Sequence, residues 1–263
     1  MRHARRLLWV MLAVGAVHAC SEVGTDPNVP VAIEIDPPIV PAIAEGDSLR
    51  DTLGVVRRIA ARALNSRNEI ILDAPIRFFA LRNDSSIIAV DSATGTIAGL
   101  RGGDADVVAQ VAGLQSVRLL IRVTPAPDTV YTASPLVDSV LYNLADDTAR
   151  TLVVTVARRA TVNGRDTLLS VPFWRVRYTI VDPAELASNT DTTRVYMANE
   201  SNRLSRVDTT DVTGIARRRI RFPLAVVSDT TRRTFVTEVL VLRANGTQLP
   251  GSPFLFTTLI RPR

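Results

Sequence analysis

The sequence predicts an all-β protein: two β-sandwich domains in tandem behind an N-terminal leader. Three observations carry that expectation. Apolar and polar residues alternate with period two along many short segments, as half-buried strands require. Those segments are broken at close intervals by Gly, Asn, Asp and Pro, the residues that turn a chain back on itself. The alternation also pauses once mid-chain, at Val123-Thr124-Pro125-Ala126-Pro127-Asp128, where two prolines directly follow a strand. The chain of 263 residues is too long for one small sandwich and suits two domains of ordinary size.

The leader comes first. Met1-Arg2-His3-Ala4-Arg5-Arg6 is basic, Leu7 to Val17 is apolar, and Val17-His18-Ala19-Cys20 closes the run. A basic start, a compact apolar stretch and a small residue before the cut make an export signal. The run falls short of the ~20 residues that cross ~30 Å of hydrocarbon. Ending on the single cysteine of the chain, this segment resembles the lipobox of bacterial lipoproteins. The resemblance implies removal of residues 1–19, acylation of Cys20 and a membrane partner reached through that lipid. Ser21 after the cysteine implies the bacterial outer membrane as the destination. Ordinary signal cleavage near Ala19 is the competing reading of the same residues.

Composition narrows the chemistry. Loss of residues 1–19 removes Arg2, Arg5 and Arg6, so the formal charge falls from +5 to +2 over the remaining 244 residues. A basic balance that small is no argument for nucleic acid, and none is expected as a partner. Both histidines, His3 and His18, lie in the leader. Histidine-based acid–base catalysis, Ser-His and Cys-His nucleophiles and His/Cys zinc sites are thereby excluded from the processed chain. No disulfide is available, so each domain must be held by its own apolar core.

Residues 20–30, polar with Gly24, Pro27 and Pro30, read as a flexible tether. The first domain is expected over 31–124. Val31, Ile33 and Ile35 share a face, and Val117, Leu119, Ile121 and Val123 do so with Arg118 and Arg122 outward. Short apolar runs at 76–81, 87–90, 96–98 and 105–111 lie between them, and 55–64 is read as a strand because its neighbours are strands. Within this stretch, Asn83 to Gly99, with Asp91-Ser92-Ala93-Thr94-Gly95 at its centre, followed by Gly102-Gly103-Asp104-Ala105, resembles the bacterial immunoglobulin-like domain of the group 2 type. Gly46-Asp47-Ser48 matches the same family, and Phe78-Phe79 stands where the family often has tryptophan. The resemblance implies an immunoglobulin-like sandwich used in adhesion, recognition or spacing. Gly95 supplies the positive φ that a tight hairpin needs.

After a stiff linker at 125–128, alternation resumes through 129–263. Leu152, Val154 and Val156 form one face, as do Trp174, Val176, Tyr178 and Ile180, with Trp174 as the expected core plug. Further strands are expected at 193–198, 215–226, 235–243 and 254–260. Asp208-Thr209-Thr210-Asp211-Val212-Thr213-Gly214-Ile215-Ala216 resembles the turn of invasin/intimin-type bacterial immunoglobulin-like domains. The fold expected of the whole is therefore two immunoglobulin-like β-sandwich domains in tandem after a lipoprotein signal peptide.

Candidate binding chemistry is sparse. Arg217, Arg219 and Arg221 fall on one face of a strand, and Arg175 and Arg177 form a second stripe. Guanidinium grips anionic groups bidentately, so these five are the candidate contacts to an anionic ligand such as an envelope glycan. A solvated outer sheet face that discourages edge aggregation is the competing reading. Asp84, Asp91, Asp104, Asp106, Asp208 and Asp211 read as turn caps in the absence of any EF-hand register. No phosphate loop, dinucleotide fingerprint or nucleophile elbow is present. Catalytic residues, metal sites and cofactors are each expected to be none. Sandwiches of this size without a large inserted loop offer little cleft for carboxylate-driven hydrolysis. The sequence points to a non-enzymatic, lipid-anchored envelope protein, partnered by membrane, envelope polysaccharide or another surface protein. An accessory subunit that holds a glycan or envelope polymer for a surface complex is the alternative.

Overall fold

The computed structural model describes residues 26–38, 40, 42–51, 55–81, 84–141, 148–227 and 233–261. The leader and Cys20 lie outside the described residues. Among the described residues no helix is long and apolar enough to cross a membrane.

The alternation becomes strands. In Arg175–Asp182, Val176, Tyr178 and Ile180 are buried while Arg177, Val181 and Asp182 face outward. In the 15-residue strand Thr148–Val162, Leu152, Val154 and Val156 are fully buried. β-Branched and aromatic side chains fill such half-buried pleated positions well.

Residues before 125 build three sheets. Ala32–Ile35, Ala61–Leu64 and Ile70–Ile71 form an antiparallel one. Ile43–Ala44, Leu119–Thr124, Gly103–Val111 and Arg77–Ala80 form a second, with Leu114–Gln115 folded back on 103–111. Ile88–Val90 and Ile97–Gly99 make a ribbon. Phe78, Ile88, Ile97, Val107 and Ile121 meet between them in one apolar cluster. Gly95 has φ +71°, and a Cβ there would come within 2.7 Å of the Ile59 carbonyl oxygen and 3.0 Å of the Phe78 ring. Only glycine serves both the turn and that close approach.

Residues after 128 build two facing sheets. One runs Thr129–Tyr131, Thr148–Val162, Ile215–Phe222, Tyr196–Ala198, with Arg165–Ser170 hairpinned onto 148–162. The other runs Val137–Leu141, Phe254–Arg261, Arg233–Leu240, Arg175–Asp182, Val207–Thr209. Leu152, Val154 and Phe222 from the first pack against Tyr178, Phe235 and Phe256 from the second, and the Phe222 and Phe235 ring centroids stand 4.9 Å apart. Two sheets sharing one apolar core constitute a sandwich.

Both halves begin with the same manoeuvre. Residues 32–35 pair antiparallel with 61–64 in one sheet, and the chain then crosses so that Ile43–Ala44 pair parallel with the final strand at Val123–Thr124. Residues 129–131 pair antiparallel with 155–157, and Val137–Leu141 then run parallel to the final strand at Thr257–Arg261. A first strand split between two sheets, its second part parallel to the last strand, is an immunoglobulin-like arrangement, and the chain is all-β of that kind.

Several expectations need correction. Val117 does not face the core; it precedes the strand Leu119–Thr124 and is 75% exposed. Regular pairing over 55–64 is confined to Ala61–Leu64, with single bridges at Val56 and Arg58 before it. The strands at Thr129–Tyr131, Val137–Leu141, Arg165–Ser170 and Val207–Thr209 have no counterpart in the sequence reading. The hairpin joining 148–162 to 165–170 did carry a signal, Asn163-Gly164, with φ of 52° and 74° as a primed two-residue turn requires.

Just ahead of the segment 125–128, expected as a stiff linker, the two halves touch. Thr124 is buried, its hydroxyl donates to the Pro172 carbonyl at 2.8 Å, and its own carbonyl accepts from Glu45 N–H at 2.8 Å. The Arg122 guanidinium lies 4.0 Å from the centre of the Phe173 ring. Pro127 is buried, which leaves Ala126 as the exposed residue of the segment 124–128.

Candidate functional site

The two arginine stripes lie on different sheets. Arg217, Arg219 and Arg221 sit on Ile215–Phe222, paired with Thr148–Val162; Arg175 and Arg177 sit on the facing sheet. The structure therefore does not assemble the five arginines into one site.

The first stripe is engaged with its neighbours. Arg217 meets Asp211 at 3.3 Å, and Arg219 and Arg221 donate to the Asn202 side-chain oxygen at 3.3 and 3.4 Å. Arg218 points the other way, toward the sandwich edge. Its side chain is only 10% exposed and pairs with Asp208 at 2.8 Å, while it also donates to the Val207 carbonyl. Asp208 in turn accepts the Arg217 backbone N–H. This cluster stitches Ile215–Phe222 to Val207–Thr209 across the two sheets.

The aspartates act on backbone and arginine. Asp91 accepts the N–H groups of Ala93 and Thr94, and Asp211 those of Thr213 and Ile215. Asp84 accepts the Asp106 N–H, and Asp104 meets Arg122 at 3.0 Å. Hydrogen bonds from Thr94 and Ala93 hold the Asp91 carboxyl below its ordinary range. Among the described residues no three His, Cys, Asp or Glu side chains gather as metal ligands would.

The second stripe has a different setting. Val40, Ala42, Ser48, Arg50 and Asp51 of the N-terminal half line a cleft of about 110 Å³ against the sheet that bears Arg175 and Arg177. Its apolar walls are Val40, Ala42, Leu240 and Leu242, with Trp174 beside them. Leu240 pairs directly with Arg177 across the strands. Four arginines (Arg50, Arg175, Arg177 and Arg243) and one aspartate, Asp51, line the same space. Arg50 is engaged by Asp47 at 2.9 Å, and Asp51 by Arg57 at 2.9 Å. Arg175 is half-buried. Burial pulls its guanidinium below the ordinary arginine value, and the like charge of Arg177 adds to the effect.

Arg175 is thus half-buried at the cleft while Arg177 on the same face stays exposed, and the cleft arises where two remote segments meet. Sequence reasoning had no signal for it, because Val40, Arg50 and Arg243 come from parts of the chain that alternation cannot juxtapose. It also missed Arg150, which faces inward on Thr148–Val162 and is 6% exposed. Its guanidinium donates to Thr257 O at 2.8 Å, to Thr258 Oγ1 at 3.0 Å and to the Pro135 carbonyl, with Asp138 at 3.5 Å.

No family model matches the chain, and no curated protein matches it. Among solved structures it is similar to domains 4 and 5 of the S-layer protein SbsC, at 10% identity and TM-score 0.30 over 88% of this chain and 98% of that one. The D0-D1 domain of intimin gives 13% identity and TM-score 0.27 over 88% and 98%. The Yersinia pseudotuberculosis adhesin InvE gives 14% and 0.27 over 87% and 57%. Likeness at this level identifies neither family nor activity. The immunoglobulin-like assignment rests on the strand order itself.

Proposed function

We propose that this chain is a non-enzymatic, lipid-anchored protein of the bacterial cell envelope, built as two immunoglobulin-like domains in tandem and acting in adhesion, recognition or spacing. The observation that supports it most is the repeated strand switch at 32–44 and 129–141, each ahead of its own apolar cluster. Two such domains in tandem would offer sheet faces and loops for contact with a partner. The group 2 resemblance of residues 31–124 and the invasin/intimin-type resemblance of residues 129–263 belong to the same proposal, as does acylation of Cys20.

Anchoring has a direct test in the native host. Metabolic labelling with a fatty-acid analogue should mark the protein, detergent should extract it from the outer-membrane fraction, and Cys20→Ser should abolish both. Equal labelling of wild type and Cys20→Ser would sink the lipid anchor. Recognition is tested by cross-linking on intact cells: a reproducible envelope partner supports it, whereas cells lacking the gene that show altered envelope spacing with no cross-linked partner support the spacer role.

A further inference from the structure

The cleft between segment 40–51 and the sheet bearing Arg175 has a composition that its own residues do not balance. Arg50 and Asp51 already hold charged neighbours, Asp47 and Arg57. Arg175, Arg177 and Arg243 have no side-chain hydrogen-bond or ion-pair partner among the described residues. Arg177 and Arg243 are exposed, but Arg175 is half-buried beside the like charge of Arg177, and a half-buried cation without a counter-charge is unfavourable. An apolar wall next to convergent charged donors is the usual make-up of a small-molecule site.

We propose that this cleft binds a small organic oxyanion, a carboxylate or phosphate carried on a short apolar stem. The charged head meets Arg175, Arg177 and Arg243, and the stem lies along Leu240, Leu242 and Val40. Guanidinium suits the head because it is weakly hydrated and offers a planar fork of donors to two oxygens at once. Leu240, directly opposite Arg177 in the strand pairing, sets the apolar wall beside the charged end. The first arginine stripe lacks these conditions, since Asp211 and Asn202 already occupy Arg217, Arg219 and Arg221. This site is independent of the lipid anchor and of any envelope partner.

Calorimetric titration of the full chain with hexanoate, hexyl phosphate, hexylammonium and inorganic phosphate tests the idea. At least one hexyl anion should bind saturably, and the tighter of the two identifies the head group. Hexylammonium should not bind, and inorganic phosphate should bind at least tenfold more weakly than the hexyl anions. Arg175→Gln and Arg243→Gln should each lower affinity for the hexyl anion about tenfold, the scale of one lost charge-assisted contact. Their melting temperatures should stay at or above wild type, because the guanidinium removed has no internal partner. Leu240→Asn should weaken the hexyl anions and leave inorganic phosphate unchanged. The site is refuted if neither hexyl anion binds below about 10 mM, if hexylammonium binds equally, or if both arginine variants retain full affinity. Should one arginine variant fail to fold, the other carries the same comparison.

Discussion

Trp174 donates its indole N–H to the carbonyl oxygen of Leu242 at 2.9 Å. The bond joins the head of the row Trp174-Val176-Tyr178-Ile180 to the second residue beyond the neighbouring strand Arg233–Leu240. Its backbone is fixed as well: Trp174 N–H donates to Thr210 Oγ1 and Thr210 N–H to the Trp174 carbonyl, both at 2.8 Å. The Thr210 hydroxyl donates onward to Val171 O. A buried indole with its N–H satisfied contributes its full apolar area to the core.

Trp174→Ala should therefore destabilise the protein by about 3–5 kcal/mol. Trp174→Phe keeps an aromatic body and loses the bond to Leu242, for a cost of about 1–2 kcal/mol. Urea denaturation of both variants measures the difference. A cost below about 1 kcal/mol for the alanine variant would contradict the burial of this side chain.

Arg150 ties the long strand Thr148–Val162 to the far edge of the facing sheet through three acceptors. Arg150→Met should cost about 2–3 kcal/mol, because the buried Thr258 hydroxyl and the carbonyls of Pro135 and Thr257 would lose their charged donor. Arg150→Lys should recover little, since one ammonium cannot span acceptors set for a fork. Asp138→Asn should cost under about 1 kcal/mol, because that carboxylate is 46% exposed. A similar cost for Asp138→Asn and Arg150→Met would show that the ion pair, rather than the carbonyl bridge, carries the stability.

Glycines at two turns should differ sharply. Gly251 has φ +90°, and a Cβ there would sit 2.3 Å from the Val130 carbonyl oxygen, whereas Gly164 has φ +74° with nothing within 4 Å. Gly164→Ala should cost only the left-handed backbone strain, about 1–2 kcal/mol. Gly251→Ala adds a clash against fixed backbone and should exceed about 3 kcal/mol. Thermal denaturation ranks them, and equal losses would mean that the approach to Val130 is loose.

Stability should be flat from about pH 6 to 9 and fall below about pH 4. Both histidines precede Cys20, so no imidazole among the described residues titrates in that plateau. Burial raises the Asp47 carboxyl, but hydrogen bonds from Arg50 and Ser48 N–H outweigh it and leave the group below its ordinary value. Asp91 is lowered by Thr94 and Ala93. A carboxylate lowered in the folded state contributes stability above its unfolded pKa and loses it as pH falls through the folded one. Melting temperatures across pH 2–9 should show that single acid limb, and Asp47→Asn should shrink it. A transition near pH 6.5 would contradict the assignment.

Period-two alternation made most of the longer core strands legible, together with much of which side each buries, but not the edge strands at 129–131, 137–141, 165–170 and 207–209. Val176, Tyr178 and Ile180, Leu152, Val154 and Val156, and the turn at Gly95 follow from the period-two geometry of a strand and the φ freedom of glycine, both local properties. Val117 failed because alternation continues past the point where pairing begins, and only the partner strand Gly103–Val111 decides that point. Arg150 and Arg218 occupy inward positions that a hydrophobic pattern reads as solvent-facing or as breaks. Their burial depends on acceptors at Pro135, Thr257 and Val207, many residues away. The half-buried setting of Arg175 and the cleft beside it come from tertiary structure alone. Strand periodicity sets the two sides of a sheet, but which side another segment comes to cover is set by long-range packing.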